Sequence, residues 1–69
     1  MNPSESTLYV QSLATGIAVL DAFDPQHASM SLPEIAVAAG ISRSAAQRFA
    51  FTLEALGLLI KDPVSKRYS

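Results

Sequence analysis

The sequence contains no cysteine, which removes disulfide cross-links and thiolate metal ligands and gives no sign of an oxidising compartment. Its single histidine, His27, has no second histidine or cysteine at ligand spacing, so no metal role is expected for it. No apolar run approaches the roughly 18 residues that a membrane span requires. The start, MNPSESTLYV, lacks the basic-then-apolar order of a secretory signal. Glycine-rich phosphate loops and clusters of His, Cys and Asp are missing too, and the chain is too short to enclose a pocket, which argues against an enzyme. The first forty positions hold Glu5, Asp21, Asp24 and Glu34 but not one Lys or Arg. These absences predict a soluble, cytoplasmic protein with no membrane partner and no cofactor.

The 69 residues present are enough for one domain, 49% hydrophobic and 16% charged, without a charge block that would argue disorder. The net charge of −1 hides a strong asymmetry. Arg43, Arg48, Lys61, Lys66 and Arg67 all fall in the last 29 residues, opposed there by Glu54 and Asp62 alone, for a local charge of +3. A local field, not net charge, steers a polyanion to a surface.

Periodicity predicts three helices and a hairpin. Leu13, Ile17 and Leu20, with Val19 and Phe23 beside them, recur at helical spacing over about Ser12–Phe23, and Asp24-Pro25 stops the run. In MSLPEIAVAAG, Ser31 is a cap, Pro33 suits the first turn and Glu34 completes a capping box. Met30 and Ile35 hold the hydrophobic-staple positions. Gly40 fits the left-handed end of this short helix, with Ile41 folding back toward Ala36. Ser42 then caps a third helix, about 42–56, whose core stripe is Ala46, Phe49, Ala50, Leu53 and Leu56. Gly57 ends it, with Leu58 turned back toward Leu53. LLIK and KRYS are candidate strands around the turn DPVS, and Ala28–Ser31 is a candidate third strand. Residues 1–8 read as a flexible N-terminal segment and 9–69 as the folded domain. In the apolar cluster Leu8, Tyr9 and Val10, packing onto this domain and contact with a second copy stay equally open.

Two short helices joined through Gly40 form a helix-turn-helix, and the hairpin that follows makes it a winged helix-turn-helix: mainly α, three helices plus a wing. Ala36 falls where the helices cross, where a larger side chain would hold them apart. On a wheel of 100° per residue centred on Ala46, the core stripe stays within about 80°. Ser44, Gln47, Arg48, Phe51 and Ala55 fall on the opposite side, with Arg43 at the flank. Arg pairs bidentately with guanine and Gln with adenine in the major groove, and recognition helices use their N-terminal residues for this. Arg43, Ser44, Gln47 and Arg48 are therefore candidate DNA contacts. Lys61, Lys66 and Arg67 on the hairpin are candidate phosphate or minor-groove contacts. Ser31, at a helix N-terminus, is a candidate for one more phosphate.

At these residues the sequence resembles a family. YVQSLATGIAVLDAF, SLPEIAVAAGISRSAAQRFAFTLEALGLL and KRYS together are similar to the N-terminal DNA-binding domain of IclR-type bacterial transcriptional regulators, over about residues 9–69. The resemblance implies sequence-specific binding of double-stranded operator DNA, with Ser42, Arg43, Ser44, Gln47 and Arg48 on the recognition helix and association to the nucleoid when bound. It also implies a homodimer with helix-one residues in the contact, or a higher oligomer in a longer protein. A small-molecule effector is implied only through a larger C-terminal domain that is absent from this sequence. Two departures stand out. Phe51 replaces the more usual aliphatic residue, which points it toward a neighbouring surface rather than DNA, and the DPVSK loop is less basic than in many relatives. The alternative reading is a winged helix that binds protein, with Phe51 and Leu8–Val10 facing the partner.

Overall fold

The computed structural model describes residues 2–69, so the segment 1–8 begins one residue outside it. A 3-10 turn at Pro3–Glu5, capped by Asn2, leads to helices α1 (Gln11–Asp21), α2 (Leu32–Ala39) and α3 (Arg43–Ala55). Helix α1 starts at Val10 without a side-chain cap. It ends two residues before the predicted Phe23, where the Asp24 carboxylate accepts the amides of Gln26 (2.8 Å) and His27 (2.7 Å) and bends the chain.

The caps of α2 and α3 fold as their residue types dictate. Ser31 Oγ accepts the Glu34 amide at 3.3 Å while Glu34 Oε1 accepts the Ser31 amide at 2.9 Å, a complete capping box. Gly40 ends α2 in the left-handed region (φ 69°), and the Ile41 amide returns to the Ala36 carbonyl at 3.0 Å. Two residues later Ser42 Oγ accepts the Ala45 amide at 3.1 Å and α3 begins. Gly57, with φ 80°, closes α3.

The wing is smaller than predicted. LLIK and KRYS shrink to isolated antiparallel bridges, Lys61 to Tyr68 and Met30 to Tyr68. The amides of Leu58 (2.8 Å) and Leu59 (3.3 Å) both turn back to the Leu53 carbonyl, so neither can enter a ladder. At the other end Asp62 Oδ1 accepts the amides of Val64 (2.8 Å) and Ser65 (2.9 Å), and its carbonyl accepts the Lys66 amide at 2.9 Å. The turn thus consumes residues 62–66 and leaves few to pair. The candidate third strand Ala28–Ser31 likewise shrinks to one bridge, at Met30, with mutual backbone bonds to Tyr68 at 2.9 and 2.8 Å.

The core brings together Val19 of α1, Ile35 and Ala36 of α2, Ala46, Ala50 and Leu53 of α3, and Met30, Leu59 and Tyr68 of the wing. Met30 and Ile35, the two staple residues, are both fully buried in it. The alanines let α2 and α3 cross closely. The predicted helix faces need correction at their edges. Leu13 is 66% exposed, Ile17 49% and Leu56 67%, and Leu58 is exposed as well. On α1, Leu13 and Ile17 lie about 120° and 160° around the helix from buried Val19, beyond the face that two neighbouring helices cover. Leu56 occupies the corresponding edge of α3. These side chains line an open apolar groove between α1 and α3, floored by Leu20, Phe49 and Leu53.

Candidate nucleic-acid interface

Helix α3 turns Ala46, Ala50 and Leu53 inward, so its opposite face is fixed by geometry. Ser42, Arg43, Ser44, Gln47, Arg48 and Phe51 are all exposed. They run from the N-cap through the first turns, where free amides and the positive end of the helix dipole add to the cationic field. Among the described residues the ion pairs are Arg67 with Glu34 and His27 with Asp24, which leaves the guanidinium groups of Arg43 and Arg48 unpaired by carboxylate. Ser42 Oγ, besides capping, lies 3.2 Å from Ser44 Oγ. The two hydroxyls form a small polar step at the start of the helix, beside Arg43.

The wing cations differ from one another. Lys66 is exposed at the turn and holds a positive φ of 65°. Lys61 is half-buried, with Nζ 5.7 Å from the centroid of the Tyr68 ring, a cation–π contact. Arg67 is tied inward. Its Nε donates to Ser29 Oγ (3.0 Å), Nη2 to the Ser29 carbonyl (2.6 Å), and Nη1 pairs with Glu34 Oε1 (2.8 Å). This clamp fastens the wing to the start of α2. A guanidinium carries five N–H donors, so groups outside these three bonds still face solvent.

The same clamp changes the surroundings of Ser31. The Glu34 carboxylate sits at the α2 N-terminus where a phosphate was expected, held by the Ser31 amide and by Arg67. The Ser31 amide first, then its hydroxyl contact and Arg67, hold the Glu34 carboxyl below its ordinary value of 4.5. The Ser31 hydroxyl is engaged with Glu34 alone, accepting its amide and contacting its carboxylate. Sequence reasoning recognised the capping box but not the clamp, because Arg67 is distant in the chain from both Ser29 and Glu34 and no local spacing links it to them.

Comparison with known proteins adds three findings. A sequence profile described as the IclR helix-turn-helix domain matches residues 12–63. The p-hydroxybenzoate hydroxylase transcriptional activator of Acinetobacter baylyi (strain ATCC 33305 / BD413 / ADP1) is 41% identical over 54 residues, 78% of this chain and 20% of that protein. The crystal structure of an IclR family transcriptional regulator from Brucella abortus superposes with a TM-score of 0.91 at 32% identity, covering 99% of this chain and 26% of that one. The chain thus spans between a fifth and about a quarter of the length of these relatives.

Proposed function

The chain belongs to the IclR helix-turn-helix family, and from that premise we propose that it binds operator DNA sequence-specifically as the DNA-binding domain of a transcriptional regulator. Helix α3 enters the major groove by its N-terminal half, with Arg43, Gln47 and Arg48 at base edges and Ser42 and Ser44 at the groove wall. Lys61 and Lys66 lie along the phosphate backbone, Arg67 adds its remaining N–H groups, and the Ser31 hydroxyl rotates from Glu34 to donate to a phosphate near the start of α2. The observation that carries this reading is the exposed α3 face, whose two arginines have no acidic partner among the described residues although the chain is acidic overall. Arginines left unpaired on a helix backed by a wing are an electrostatic footprint for a polyanion.

A second copy of the chain is the proposed protein partner. The open groove lined by Leu13, Ile17 and Leu56 supports it, since a contiguous apolar surface of this kind is where subunits meet. The same groove favours the alternative of a protein-binding module, and the two readings part on charge. A small-molecule effector is proposed to act through the part of the relatives that this chain does not span, and the regulator is proposed to work in the cytoplasm. Titrating random-sequence duplex DNA at increasing salt, with Arg43→Ala/Arg48→Ala alongside, tests the DNA reading. Affinity should fall steeply with salt and the double variant should lose most of it. Equal binding by both proteins would reject the role given to Arg43 and Arg48. No binding at low salt by the wild type, alone and as a covalently linked dimer, would reject the DNA reading in favour of the protein-binding module.

A further inference from the structure

Phe51 is 69% exposed on the outward face of α3, although its neighbours there are polar. It does not continue the apolar groove, which runs along the other flank of the helix through Phe49, Leu53 and Leu56. Its ring instead borders a shallow hollow shared with Gln47, Arg48 and Thr52. The Thr52 hydroxyl already donates to the Arg48 carbonyl at 2.8 Å, so Thr52 offers a ligand mainly its methyl group. One aromatic ring and one methyl therefore stand directly beside the two side chains best suited to read a purine.

Resting on the DNA-binding reading, we infer that Phe51 is a specificity-determining residue that receives the 5-methyl group of a thymine in the major groove. Ser44, Gln47, Arg48 and Phe51 follow the i, i+3, i+4, i+7 spacing by which homeodomain recognition helices present base contacts. From Ser44 to Phe51 the helix rises about 10 Å, the height of about three base pairs. In the major groove the thymine methyl is the one apolar feature that distinguishes a base, and Phe is among the side chains that contact it. The hollow combines that contact with Gln47 and Arg48, so the structure assigns the α3 face a mixed polar and apolar code. On this proposal Phe51 meets the duplex and not the neighbouring surface that the sequence suggests.

The test uses the wild-type chain to select duplexes from a random-sequence library, then replaces each thymine of the selected site by deoxyuridine, which lacks only the methyl. At one thymine per half-site the wild type should lose affinity about fourfold, the factor that withdrawing one methyl-sized group from water supplies. Phe51→Ala should bind thymine and uracil there equally, while Lys66→Ala, weaker on every duplex, should keep the fourfold difference. Phe51→Leu, which retains apolar contact, should keep part of it. A wild type indifferent to uracil at every position overturns the inference. So does a Phe51→Ala protein that still discriminates, or a selection that returns no preferred sequence although binding is salt-dependent. Absence of any salt-dependent duplex binding instead removes the underlying DNA-binding reading.

Discussion

Lys66 holds a φ of 65° with no glycine's freedom to do so. A left-handed conformation costs an L-residue about 1–2 kcal/mol, and glycine avoids most of that at some entropic cost. Lys66→Gly should therefore stabilise the domain by about 0.5–1 kcal/mol in denaturant unfolding. The same variant should bind all duplexes more weakly and lower the salt slope by about one. Stability and binding moving in opposite directions would mark Lys66 as a residue held in strain for its charge. Glu34 supplies a second residue-scale test. Its carboxyl titrates below its ordinary value, so the native state binds fewer protons than the unfolded chain near that pH. Its stabilisation is complete above about pH 5 and is lost as pH falls through the lowered value. Asp24, lowered chiefly by the His27 amide, and Asp62, lowered chiefly by the Ser65 amide, act in the same direction. Glu34→Gln retains an acceptor for the capping box but not the charge facing Arg67. Its melting temperature should lie below wild type at neutral pH and decline less on acidification, a difference readable by circular dichroism.

At the scale of elements, α1 has a glycine in its interior with room to spare. A Cβ built on Gly16 would meet Phe49 Cδ1 at 3.8 Å, an ordinary contact. Gly16→Ala should stabilise by about 0.5–1 kcal/mol and raise the melting temperature by several degrees in a domain of this size. The crossing of α2 and α3 is the opposite case. Ala36 is buried there, and Ala36→Leu should destabilise by about 1–3 kcal/mol through overpacking. A variant that kept wild-type stability would show that the crossing tolerates a wider gap than the structure implies. These elements also show what the sequence made legible. Ser31, Glu34, Gly40, Ser42 and Gly57 act on the chain within a few residues, so their caps could be read from spacing alone. Which apolar edge of α1 is buried depends on where α2 and α3 lie, and for that reason Leu13, Ile17 and Leu56 were assigned inward. The strands were overestimated because the competing bonds, Leu58 and Leu59 amides to the Leu53 carbonyl, belong to the end of α3.

On the scale of the whole molecule, two surfaces share α3. The polar face from Ser42 to Phe51 points away from the core, and the apolar groove against α1 lies along its other flank. A DNA-binding face and a subunit contact can therefore operate together without competing for side chains, apart from Arg48 and Thr52, which border both. The candidate DNA residues on α3 were legible because their outward direction follows from helical period alone. Arg67 was legible as a cation but not as a clamp, since its partners Ser29 and Glu34 come near it only when the wing folds onto α2.

The central claim is that the outward face of α3 meets DNA, and amide chemical-shift mapping addresses it directly. A uniformly labelled chain would be titrated with a duplex at low salt and its resonances followed residue by residue. Shifts should concentrate at Ser42–Phe51 and at Lys61 and Lys66, with Leu13 and Ile17 in the groove unmoved. Shifts confined to the α1–α3 groove, or spread evenly over the surface, would contradict the account.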